Sequence, residues 1–162
     1  MMTQLGIVAG EILKFLEQWH GICNLHTLKK ELGFPDHLIM MALGWLNHKH
    51  YIRVADNLSL VLSSQRDFKG MLEKETKHTE KMLCHGIGRI LNLLNQSDGL
   101  ITLKDVDRDI EHEGLNLMAV GYLVREGHVR VEIAKDDILI YRLPQPAWAM
   151  NLETLAHYMK AE

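Results

Sequence analysis

Cysteine, proline and a net charge of either sign are scarce in this 162-residue chain, which holds two cysteines, three prolines and a formal charge of −3. Cys23 and Cys84 are too few for a disulfide scaffold and fit a reducing interior. With 18 Lys and Arg against 21 Asp and Glu, the chain lacks the basic excess of strong non-specific nucleic-acid binders. No apolar run approaches the ~20 residues of a membrane span, and the N-terminal stretch has neither a basic start nor a small-residue cleavage site. A cytoplasmic location with no membrane partner is therefore expected. Motifs of catalysis are missing too: there is no G-x-S-x-G, no phosphate-cradling glycine loop and no H-E-x-x-H. The expectation is a protein that is not an enzyme, with no cofactor and no small-molecule substrate. What is present, 47% hydrophobic and 24% charged residues, is an ordinary globular balance.

The chain repeats itself. Met41-Ala42-Leu43-Gly44-Trp45-Leu46 returns 77 positions later as Met118-Ala119-Val120-Gly121-Tyr122-Leu123, and Ile52-Arg53-Val54 as Val129-Arg130-Val131. Upstream the offset is 78: Ile12, Leu13 and Leu16 match Ile90, Leu91 and Leu94, and Gly21 matches Gly99. Leu25, Leu28 and Leu32 then match Leu103, Val106 and Ile110. The one-residue change falls in Gly33-Phe34-Pro35-Asp36-His37, where a turn can absorb it. Order, spacing and apolar character agree over some five blocks, which similar amphipathic helices alone do not explain.

Each copy predicts the same elements. Apolar residues at helical spacing (Val8, Ile12, Leu16; Ile87, Ile90, Leu94) make a first helix, which Gly21 or Gly99 ends. A short apolar step follows. Asn24 and Thr102 then stand as N-caps, because a short side-chain oxygen accepts from the free amides of a helix's first turn. A second helix leads to a third, over roughly 36–48 and 113–125. Two hairpins close the copies, about 51–55 with 58–62 and 128–134 with 137–142, with Asp56-Asn57 and Lys135-Asp136-Asp137 at their turns.

Helix, short strand, helix, helix, hairpin is the winged helix-turn-helix order. The stretches Leu25-His26-Thr27-Leu28-Lys29-Lys30-Glu31-Leu32-Gly33 and Met41-Ala42-Leu43-Gly44-Trp45-Leu46 resemble the small stand-alone winged-helix proteins of prokaryotes. The resemblance covers residues 6–62 well and 86–143 more loosely. It implies a winged-helix fold, self-association and DNA binding. The expected fold is mainly α with small β-hairpin wings (α+β), arranged as two tandem winged helix-turn-helix domains at 1–63 and 86–143. Residues 64–85 read as a charged, solvated helical linker running into the first helix of copy two. Residues 144–162 read as a Pro-containing hook and an amphipathic helix bearing Leu152, Leu155, Ala156 and Met159.

Candidate chemistry is thin. His20-x-x-Cys23-x-x-His26 has metal-like spacing, but Cys23 aligns with apolar Ile101, and its flanking histidines align with polar Asp98 and Lys104. A core thiol between two surface imidazoles is no tetrahedral site, so no metal is expected. Cys84 and His85 diverge by about 100° on a helix and cannot form a base–thiol pair. The acidic run Asp105, Asp107, Asp109, Glu111 and Glu113 reads as a solvated face rather than a calcium site.

Duplex DNA would be read by the third helices, through Arg, Lys, Asn or Gln on base edges. Their outward faces instead carry Asp36, Met40, Leu43, Gly44 and Asn47 in copy one and Glu113, Leu117, Val120, Gly121 and Val124 in copy two, with no Lys or Arg. The seven uncharged apolar or glycine positions, Met40, Leu43, Gly44, Leu117, Val120, Gly121 and Val124, are candidates for an interface with a partner protein or a second copy. A helix-interior glycine costs about 1 kcal/mol relative to alanine. Gly44 and Gly121, at one position in both copies, imply either tight packing within the fold or close docking of a partner or of one copy on the other. Candidates for DNA phosphates are Lys29, Lys30, Lys49 and Arg53, with Arg130 and Lys135 in copy two. Copy one is neutral and residues 86–143 carry seven cations against ten anions, so copy one is the stronger candidate. Function divides between a DNA-associated, transcription-regulator-like protein contacting phosphates through domain 1 and a protein-interaction module docking through the third helices.

Overall fold

In the computed structural model, which describes residues 2–56, 59–62, 77–107 and 113–144, one order of elements occurs twice. The first unit comprises α1 (Met2–Gln18), β1 (Ile22–Asn24), α2 (Leu25–Leu32), α3 (Asp36–His48), β2 (Ile52–Val54) and β3 (Ser59–Leu62). The second comprises α4 (Lys77–Gln96), β4 (Leu100–Thr102), α5 (Leu103–Asp107), α6 (Glu113–Glu126), β5 (Val129–Ile133) and β6 (Ile138–Arg142). The chain is mostly helical with two three-stranded antiparallel sheets, ordered β1-β3-β2 and β4-β6-β5, as a winged helix-turn-helix requires. The expected hook and last short helix within 144–162 lie outside the described residues beyond Pro144.

Local chemistry sets the boundaries. After α1 and α4 the backbone turns left-handed at His20-Gly21 and at Asp98-Gly99. The amides of Gly21 and Gly99 close onto the carbonyls of Leu16 and Leu94 at 2.7 and 3.0 Å. Asn24 caps α2, its side chain accepting from the Thr27 amide at 2.8 Å. Thr102 does the same for α5 through a capping box: it accepts from the Asp105 amide at 3.3 Å, while the Asp105 carboxylate accepts from the Thr102 amide at 2.9 Å. A third left-handed pair follows α3 and α6, at His50 and Gly127.

In each sheet one face is buried, because strand residues alternate sides. Cys23, Leu60 and Val54 form a cross-strand row facing the first unit's helices, and Ile101, Ile140 and Val131 form the matching row in the second. The buried side chains of the two units belong to one continuous cluster. The core thus runs through the junction between the units rather than stopping at each.

That junction is α3 against α6, the largest contact between any two described elements. From Leu38 to Gly44, and again at Leu46, α3 is buried, so it has almost no outward face. The expectation of a partly bare third helix is corrected here, because the two third helices cover one another. Residues 64–85 also differ from a solvated linker in the part described. From Lys77 they run unbroken into α4, as the sequence suggests, but Thr79 and Leu83 are buried.

Candidate nucleic-acid interface

All seven residues expected to meet a partner, Met40, Leu43, Gly44, Leu117, Val120, Gly121 and Val124, are buried in the folded chain. The crossing of α3 and α6 is governed by its glycines. A Cβ on Gly44 would stand 2.6 Å from the Met118 carbonyl carbon, and one on Gly121 2.6 Å from that of Met41, each nearer still to the oxygen. Met41 and Met118 are themselves 77 residues apart, so each contact is the other's image. This is the self-complementary pattern of a two-fold interface, in which residue i meets j and j meets i, here within a single chain. An outside partner therefore finds no bare apolar surface on either third helix.

Two further contacts obey the same symmetry and were not legible as pairs in the sequence. The Arg125 guanidinium lies 4.2 Å from the centre of the Trp45 ring. Its counterpart, the His48 ring, meets Tyr122 edge-on at 4.5 Å. Trp45 matches Tyr122 and His48 matches Arg125 at the 77-residue offset, so each helix offers an aromatic ring to a nitrogenous side chain of the other. His48 Nε2 also lies 2.7 Å from the Glu126 carboxylate.

The six cations expected at phosphates have different surroundings. Lys29 is 3.5 Å from the Asp36 carboxylate. Arg53 pairs with Glu80 at the start of α4, its side chain only 19% exposed. Arg130, its counterpart in the second unit, lies 4.0 Å over the Tyr141 ring and 3.8 Å from Glu132, with 56% of its side chain exposed. Lys30, Lys49 and Lys135 are exposed. The first unit thus presents Lys30 and Lys49 openly, and holds Lys29 and Arg53 beside carboxylates.

Arg53 belongs to a second junction. Asp56, in the first wing's turn, accepts from the Thr79 amide and the Thr79 hydroxyl, both at 2.8 Å. Desolvation pushes the Asp56 carboxyl up, but the Thr79 amide and hydroxyl, the His78 amide and the His78 charge outweigh it and hold the group below its ordinary value. The first wing therefore caps the first helix of the second unit. An acid at a wing turn was visible in the sequence, but its partner lies 23 residues away.

Around the metal-like spacing, Cys23 is buried and its thiol donates to the Asn24 carbonyl at 3.2 Å, whereas His20 and His26 are exposed. Burial raises the Cys23 pKa, against the lowering effect of the Leu28 amide. No three His, Cys, Asp or Glu side chains converge as metal ligands among the described residues. No described helix is long and apolar enough to cross a membrane.

With this geometry in hand, residues 1–62 match a family described as Winged helix-turn-helix domain (DUF2582). The first unit is a winged helix-turn-helix domain, a class that is typically non-enzymatic and suggestive of a DNA-binding, regulator-like role. Neither a curated protein nor a solved structure matches the chain.

Proposed function

We propose that this chain is a non-enzymatic, cytoplasmic, DNA-associated protein of the transcription-regulator type, contacting duplex phosphates through its first winged-helix unit. In this reading residues 1–63 and 86–143 are two copies of one winged unit, joined through 64–85. The observation that carries it is the winged helix-turn-helix match at residues 1–62 combined with the placement of Lys30 and Lys49 on the surface of that unit. The charge difference between the halves supports the same choice, since a phosphate backbone is repelled less by the neutral half than by the acidic one.

The test is fluorescence anisotropy of a labelled duplex at low salt, with the full chain and with the Lys30→Glu, Lys49→Glu double variant. Both side chains are exposed, so circular dichroism should report an unchanged fold. The reading expects binding by the parent chain and a loss of about tenfold or more in the variant, since two phosphate contacts become repulsions. A chain that fails to bind at low salt, or a variant that binds equally well, refutes it.

A further inference from the structure

We infer that the chain engages duplex DNA without reading its base sequence, an inference that rests on the proposed phosphate contact and concerns what that contact can recognise. Sequence reading in the major groove needs a protruding helix or ribbon whose side chains reach base edges with Arg, Lys, Asn or Gln. Neither third helix meets that requirement. On α3, residues 38 to 44 and Leu46 are buried against the rest of the chain, Asn47 is half-buried in the last turn, and the first turn offers Asp36, whose carboxylate lies beside Lys29. On α6, Asn116 through Gly121 are buried, and the Arg125 guanidinium lies over Trp45.

Opening the pair does not restore a reading helix. The two helices meet backbone to backbone at Gly44 and Gly121, and the hydrophobic cluster is continuous across them. Parting them bares apolar side chains with no base-reading group among Leu38, Ile39, Met40, Met41, Ala42 and Leu43. A helix with that surface has nothing to offer a base edge beyond contact with a thymine methyl.

What is left for DNA is exposed cations outside the third helices, among them Lys30 and Lys49 on the first unit and Arg130 and Lys135 on the second. Lysine ammonium groups at phosphates position a protein on the duplex and carry no sequence information. Contact through these four alone corresponds to a log–log salt slope of about −3.6.

The experiment uses the full chain, two duplexes of about 25 base pairs with equal composition and unrelated sequence, and selection from a randomised duplex pool. The expected result is equal affinity for the two duplexes within about threefold, a salt slope between about −1 and −4, and no enriched motif. A selected sequence preferred over its scramble by about thirtyfold or more overturns this inference, while leaving the phosphate contact standing if the Lys30→Glu, Lys49→Glu variant loses it. Absence of binding at low salt overturns this inference and the proposed function together.

Discussion

Gly44→Ala is the sharpest probe of the junction between the units. At most interior helix positions this change stabilises, by about 1 kcal/mol of helix propensity. Here the new methyl carbon would stand 2.6 Å from the Met118 carbonyl carbon, against an ordinary carbon–carbon contact of about 3.5 Å or more. The obstacle is backbone, so no rotamer change relieves it, and the helices must part by about 1 Å. A gap of that size forfeits a quarter to a half of each cross-helix dispersion contact. Overpacking of a dense core costs about 1–3 kcal/mol, and an immovable obstacle places this case at the upper end. After the propensity gain, the net loss is about 2 kcal/mol, or roughly 4–8 °C in Tm for a chain of this length. Urea and thermal unfolding measure it directly. Gly10→Ala supplies the control, since a Cβ at Gly10 in α1 meets nothing within 4 Å, and it is expected to stabilise by up to about 1 kcal/mol. The symmetry adds a second requirement. Once Gly44→Ala has pushed the helices apart, Gly121→Ala clashes less, so the double variant should cost less than the sum by more than about 0.5 kcal/mol. A Gly44→Ala chain as stable as the Gly10→Ala control would refute the close crossing.

Two other substitutions test local readings, alongside the DNA measurements above. His50 adopts φ +58° where its counterpart Gly127 has φ +80°, so His50→Gly should stabilise by about 0.5–1 kcal/mol in urea melts, and a chain made less stable would contradict left-handed strain at that turn. Asp56→Asn should destabilise at neutral pH by no more than about 1 kcal/mol, because the group is exposed and its charge is screened. A carboxyl whose folded pKa is depressed contributes stability above its unfolded value of about 3.9 and loses it as pH falls through the lower folded value. The gap between parent and variant should therefore close in melts below about pH 4, and a gap that persists undiminished at pH 2.5 would assign the effect to something other than the Asp56 charge.

The elements were legible because each carries a local signal. Pro35 and the apolar spacing that follows give a third helix at 36–48, and α3 spans Asp36–His48. Alternation around Arg53 and Arg130 gives the wings, whose strands are Ile52–Val54 and Val129–Ile133. The caps were legible for the same reason, since Asn24 bonds to a residue only three positions ahead. The ion pair of Arg53 with Glu80, 27 residues apart, has no periodicity to announce it. Residues 77–85 looked solvated because their charges dominate the pattern. Buried Thr79 is held by Asp56 of the first wing, a contact across 23 residues that no local pattern encodes.

The site was harder to read than the fold because an apolar face reports that it is covered, and not by what. Leu43 and Val120 would look the same whether the cover were a second copy, a foreign protein or each other. The glycine pair carried the missing information in part. Each glycine costs about 1 kcal/mol in its own helix, and a crossing with a glycine on one side only would leave the opposite Cβ in the facing backbone. A self-complementary crossing therefore needs both, at equivalent positions, as Gly44 and Gly121 are. The same logic accounts for the aromatic rings: a two-fold crossing that sets Arg125 on Trp45 must bring Tyr122 to the residue matching Arg125, and His48 is there. Symmetry thus consumes, inside one chain, the surface on which a helix-turn-helix ordinarily reads DNA.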